Sequence, residues 1–169
     1  MPIPDKITAS KAVARHERFA EEMPLAGFVR LQGLLASEAG VIAAEIEAGR
    51  DESDHPHLQG RLQGELQLIC HRCLKAFGWK LDAPLAIRLV NTEAEEAQAL
   101  HESDPYLVLD DRLPLREIVE DELLLALPMM PRCKSCENAA PPVPAKEPGK
   151  ETRKENPFAA LKRIKFDGR

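Results

Sequence analysis

Aromatic residues are scarce. Five Phe, one Tyr and one Trp occur in 169 residues, so a folded core has to be built mostly from Leu, Ile, Val and Ala. Long apolar runs are missing as well. The longest, residues 123–130, falls far short of the roughly 20 residues that a membrane helix needs. The opening MPIPDKITAS has neither the basic start nor the apolar stretch of a signal peptide, so a cytoplasmic protein without a membrane partner is expected. No serine nucleophile elbow, Walker loop or dinucleotide-binding glycine fingerprint occurs. Histidines at positions 16, 55, 57, 71 and 101 have no spacing that suggests a catalytic set. The expectation is a protein that is not an enzyme and takes no small-molecule substrate.

What charge there is lies unevenly. The chain carries −5 at pH 7. Residues 1–136 hold 15 Lys and Arg against 23 Asp and Glu, whereas residues 137–169 hold 8 against 5. An acidic body repels phosphate backbones at long range, and a short basic tail is drawn to them. The bulk composition is therefore not that of a stand-alone RNA-binding domain, and any contact with nucleic acid has to come from the tail or from a local patch.

The pattern predicts an α+β fold with a β-rich antiparallel body and a few helices. Residues 8–22, with Ser10 as N-cap, read as a helix ending before Pro24. Residues 41–48 alternate as a strand. From Leu58 to Cys70, every second residue is Leu, Gly or Cys, opposed by Gln59, Arg61, Gln63, Glu65 and Gln67. A second alternation runs through Trp79, Leu81, Ala83, Leu85, Ile87 and Leu89. Two such runs separated by residues 71–78 predict an antiparallel hairpin, with Pro84 marking an edge or a bulge. Residues 92–101 read as a short helix or an acidic loop, and residues 106–109 as β-prone. A strong helix follows, with Pro114 in its first turn and Pro128 ending it. The domain is expected to span residues 1–136. Residues 137–155 should form a disordered Pro/Lys/Glu linker, and residues 156–169 a basic amphipathic peptide.

All four cysteines fall in C-x-x-C pairs, Cys70-His-Arg-Cys73 and Cys133-Lys-Ser-Cys136. In a cytosolic chain, this arrangement points to metal or redox chemistry rather than structural disulfides. Each tight turn can aim two thiolates at one point, and four thiolates complete a closed tetrahedral zinc site. Arg72, Lys75, Arg132 and Lys134 would offset its −2 charge. Cys73 and Cys133 lie farther apart than the about 15–20 residues of a compact zinc ribbon, so the fold has to bring the hairpin and the helix end together. Unligated thiols, or a redox pair at Cys70 and Cys73, are the alternatives. A transcription-associated zinc module would need DNA or polymerase binding, for which the acidic body offers no support.

On the helix from Leu115, the residues Leu115, Ile118, Val119, Leu125 and Ala126 form one face at 100° per residue, while Glu117, Glu120 and Asp121 point away. Glu122 falls inside the apolar face. A carboxylate there needs a cationic or hydrogen-bonding partner or a rim position, and Arg72 is the candidate by charge.

These motifs resemble the YceD family, the large ribosomal RNA subunit accumulation proteins of bacteria and plastids. The resemblance rests on Cys70-x-Arg72-Cys73-Leu74 after an alternating strand, and on Val119-Glu120-Asp121-Glu122-Leu123-Leu124-Leu125-Ala126-Leu127-Pro128 followed by Pro131. The C-terminal Asn156-Pro157-Phe158-Ala159-x-Leu161 extends it. Family members often show His at the position of Cys133 and an acidic residue at that of Pro114; the first exchange swaps one metal ligand for another.

The resemblance implies a non-enzymatic role in the synthesis, processing or stability of 23S rRNA. Its partners would be a pre-large-subunit particle, a ribosomal protein or 23S rRNA itself. The candidate metal ligands are Cys70, Cys73, Cys133 and Cys136, with zinc as the structural cofactor. Candidate partner-binding residues are Arg72, Glu117, Glu120, Asp121 and Glu122 in the body. In the tail they are Phe158 as apolar anchor, with Lys162, Arg163 and Lys165 as cations. The alternative function is a cytosolic C-x-x-C thiol redox protein or sensor.

Overall fold

A computed structural model describes residues 1–137. The linker and C-terminal peptide, with Phe158, Lys162, Arg163 and Lys165, lie outside the described residues. Five strands form one sheet in the order β2-β3-β4-β5-β6: β2 (Arg18–Pro24), β3 (Val41–Arg50), β4 (Pro56–Ile69), β5 (Ala76–Val90) and β6 (Asp104–Leu107). A small second sheet pairs β1 (Ile7–Thr8) with β7 (Arg112–Leu113). The helices are α1 (Ala9–Arg15), α2 (Glu93–Ala99), α3 (Leu115–Ala126) and the single turn α4 (Lys134–Glu137). The class is α+β and β-rich, as expected.

The β4–β5 hairpin is the spine of the sheet. Its register runs from His57 opposite Arg88 to Ile69 opposite Ala76. Leu58, Leu62, Leu66 and Leu68 of β4 are buried, as are Leu81, Leu85, Ile87 and Leu89 of β5. Period-two alternation thus places one apolar face on the core, and Gln and charged residues on the other. Inside that face, Gly60 and Gly64 admit β3 at close range. A Cβ on Gly60 would stand 2.0 Å from the carbonyl oxygen of Glu45, so the two backbones cannot keep their distance around any larger residue. Gly60→Ala is expected to lower the stability measured by urea unfolding by about 1–3 kcal/mol, the usual cost of overpacking.

Expectations for the first helix and for the sheet are corrected. The first helix stops at Arg15 because His16 turns left-handed, with φ 49° and ψ 50°. Residues 18–24 then pair antiparallel with β3, from Arg18 opposite Glu47 to Pro24 opposite Val41. Phe19 and Met23 are buried there, a spacing of four that serves a strand as well as a helix. Ser10 is not the N-cap; Thr8 holds that position without a side-chain bond. Instead, the Asp111 carboxylate accepts hydrogen bonds from the Ser10 backbone N–H at 2.8 Å and from its hydroxyl, capping α1 from a distant segment. The second correction is that the sheet is mixed: β6 runs parallel to β5, pairing Asp104–Leu107 with Ile87–Val90.

Residues 25–35 contain two single 3-10 turns, Leu25–Gly27 and Val29–Leu31, and Leu25, Phe28, Leu31 and Leu35 of this stretch are buried. Residues 92–101 resolve into a helix. Thr92 caps α2 by accepting from the Glu95 N–H at 3.2 Å, and Glu95 returns a carboxylate to the Asn91 N–H at 2.9 Å. Leu115, Ile118, Val119 and Leu123 of α3 are fully buried, and the helix lies against β5 and the 3-10 turn at residues 29–31. Leu125, expected on that face, is 79% exposed, and Leu123 takes its place. Pro114 sits at the N-cap rather than inside the first turn.

Candidate metal centre

The hairpin and the end of α3 converge on the four cysteines. Cys70 follows β4 and is buried; Cys73 is exposed, and Cys133 and Cys136 are half-buried. The first knuckle closes through Leu74 N–H to the Cys70 carbonyl at 2.8 Å and Cys70 N–H to the Lys75 carbonyl at 2.9 Å. Leu74 adopts φ 58° to make this turn. In the second knuckle, the N–H groups of Cys136 and Glu137 donate to the Cys133 carbonyl at 2.8 and 3.0 Å. The two are clasped together by the His71 N–H, which donates to the Pro131 carbonyl at 2.9 Å. Arg72 Nη1 adds a 3.4 Å bond to the Cys136 carbonyl.

All four sulfurs lie within 4.8 Å of one another, and Cys73 Sγ is 3.8 Å from Cys133 Sγ. Metal–sulfur bonds of about 2.3 Å in a tetrahedron separate the sulfurs by about 3.8 Å. The set can therefore hold a metal ion such as zinc after small adjustments. Its chemistry agrees. The Cys70 thiol is lowered to about 6, first by the Cys133 backbone N–H and then by that of Cys73. The Cys133 thiol is lowered as well, first by the Ser135 hydroxyl, whose oxygen is 3.1 Å away. By contrast, Cys136 is pushed up to about 12, first by Cys133 and then by burial. Four thiols this close cannot all ionise side by side unless a cation sits between them, a role that a divalent metal ion would fill.

The acidic motif on α3 divides in two. Glu120 and Asp121 are held by Arg30, a residue that no sequence motif singles out. Its backbone N–H donates to Glu120 Oε1 at 2.7 Å, its Nε to Glu120 Oε2 at 3.1 Å, and its Nη1 to Asp121. Nη2 reaches the Glu117 carbonyl at 3.2 Å. This clamp ties α3 to the 3-10 turn and raises the Arg30 pKa, first through Asp121. Glu117 is exposed and Glu122 half-buried. Arg72 is not the partner of Glu122: among the described residues Glu122 has no ion pair. Burial, then Asp104 and Asp121, push its carboxyl upward.

A carboxyl with a raised folded pKa binds its proton more tightly in the folded protein than in the unfolded one. It therefore weakens the fold at neutral pH, and that penalty fades as pH falls through the folded pKa. Glu122→Gln is expected to be slightly more stable at pH 7, within about 0.5 kcal/mol. Urea midpoints of the two proteins should converge below the ordinary carboxyl value of 4.5.

A family model described as large ribosomal RNA subunit accumulation protein YceD matches residues 58–165. The chain belongs to the YceD family. The match begins in β4 and takes in both C-x-x-C pairs and α3. No solved structure matches the chain. Among the described residues, no helix is long and apolar enough to cross a membrane.

Proposed function

We propose that the chain is a non-enzymatic ribosome-biogenesis factor that supports the synthesis, processing or stability of 23S rRNA in the cytoplasm. In this reading, zinc on Cys70, Cys73, Cys133 and Cys136 is structural. The observation that carries it is the family match over residues 58–165. The four-sulfur cluster supports the zinc: with all four ligands from protein the site is closed, and such sites hold folds together rather than activate water.

The contact with a basic partner of the pre-large-subunit particle, such as a ribosomal protein, is assigned to the acidic end of α3. Glu117 and Glu122 are its available carboxylates, because Glu120 and Asp121 are engaged by Arg30. The C-terminal peptide, with Phe158, Lys162, Arg163 and Lys165, would supply a second, cationic contact to protein or rRNA.

Sucrose-gradient profiles with 23S and 16S rRNA quantified, in cells lacking this protein, test the reading. The expected result is a selective fall in 23S rRNA and large subunits, restored by the wild-type chain. An unchanged 23S:16S ratio in both normal and cold growth would contradict it.

A further inference from the structure

Beside the metal centre, the sheet has an open edge. Among the described residues, β6 covers β5 only over Ile87–Val90, and the preceding part of β5, from Ala76 on, pairs on the β4 side alone. A groove of about 620 Å³ runs there, between residues 77–80 of β5 and residues 128–137 that carry the second knuckle. Its apolar lining includes Phe77, Trp79, Pro128 and Met130. Phe77 and Trp79 are half-buried against the core, and Met130 is 65% exposed. Around this floor stand Lys80, Arg132 and Lys134, all exposed, opposed by Glu65 and Glu137.

Many of the body's arginines are already committed, whereas the cations at this groove are not. Arg18, Arg30, Arg50, Arg61 and Arg116 are each ion-paired to a carboxylate. Among the described residues, Lys80, Arg132 and Lys134 have no such pair. Another hollow of about 620 Å³, over Gly60, shows the contrast: its cations Arg18 and Arg61 are already held by Glu47 and Asp82. An acidic protein thus keeps a local set of uncommitted cations beside its only tryptophan.

Aromatic faces with cations alongside bind single-stranded nucleic acid, because each base offers a π-face and each linkage a phosphate. We infer that this groove binds an unpaired RNA segment, stacking a base on Trp79 and holding phosphates on Lys80, Arg132 and Lys134. The inference rests on the 23S rRNA reading proposed above and gives it a point of direct contact. An acidic extended peptide added to the β5 edge is the competing occupant, but it leaves the aromatic floor without a specific use.

Trp79 is also the reporter. Titrating the full-length metal-loaded protein with single-stranded oligonucleotides should quench its fluorescence. The apparent affinity should fall steeply with salt, as counterion release requires. Replacing Lys80, Arg132 and Lys134 together by Gln should weaken binding at least about tenfold, and zinc content measured on the same sample separates a lost groove from a disturbed metal site. Because all three are exposed, the fold is expected to tolerate the change. Trp79→Ala, which removes the reporter and is therefore followed by the anisotropy of a labelled oligonucleotide, should weaken binding about tenfold.

RNA that binds the wild type and the triple variant equally, without quenching Trp79, overturns the groove; the basic tail then accounts for the binding. Quenching by an oligoglutamate peptide that RNA does not displace also overturns it, in favour of a peptide. In cells, a triple variant that fully restores the 23S:16S ratio removes the groove while the 23S reading stands. An unchanged ratio in cells lacking the chain removes that reading whatever the groove binds.

Discussion

Stripping the metal from the native protein is expected to lower its thermal midpoint by about 10 °C or more. A ligand present at a thousand times its Kd stabilises the folded state by about 4 kcal/mol, and in a chain of this size each kcal/mol moves the midpoint by about 2–4 °C. The loss should be largest near the site. Cys70 is buried at the end of β4, and among the described residues the backbone joins the two knuckles through a single bond, from His71 to Pro131. Without a metal, the four clustered thiols lose the charge that lets them ionise together. Replacing Cys70 or Cys133 by Ser should reproduce the midpoint shift and make the protein insensitive to chelator. Calorimetry with and without chelator, on wild type and both variants, checks this. Equal midpoints for metal-loaded and stripped wild type would show that the cluster carries no structural load.

Leu123→Ala is expected to cost about 2–5 kcal/mol, the range for emptying a fully buried Leu site. Leu123 has no exposed surface and belongs to the buried stripe of α3 with Leu115, Ile118 and Val119. Its consequence should reach beyond the cavity. Residues 128–137 follow directly from α3, so a loosened helix also loosens the second knuckle, and metal affinity should fall with stability. The neighbouring Leu125→Ala removes a side chain that is 79% exposed and should cost less than about 0.5 kcal/mol. Urea unfolding of the two variants checks the contrast. A small loss for Leu123→Ala together with a large one for Leu125→Ala would mean that α3 packs through its other face.

How much of this was legible in the sequence follows from the range of the forces involved. The β4–β5 hairpin was, since its alternation of Leu with Gln and charge is a local pattern that one buried face imposes. Strand β2 was not. Phe19 and Met23 satisfy either period, and pairing with β3, some twenty-five residues away, decides between them. The parallel register of β6 is likewise tertiary. On α3, the helical period was readable, but choosing Leu125 over Leu123 misplaced the edge of the stripe, because three consecutive leucines straddle it. Both C-x-x-C pairs were plain, whereas their union across 60 residues depends on β4 and α3 ending at the same place. Arg30 carried no local signal at all; its role comes from carboxylates some ninety residues downstream. The groove beside Trp79 was hidden for the same reason, as its two walls come from separate segments.

Metal content and thiol reactivity, measured on one preparation of the full-length protein purified without added metal or chelator, test the central claim most directly. The account predicts close to one zinc per chain, with four thiols that react with a disulfide reagent only after a strong chelator removes the metal. A metal-free protein whose four thiols titrate at once, or one carrying a Cys70–Cys73 disulfide, would contradict it.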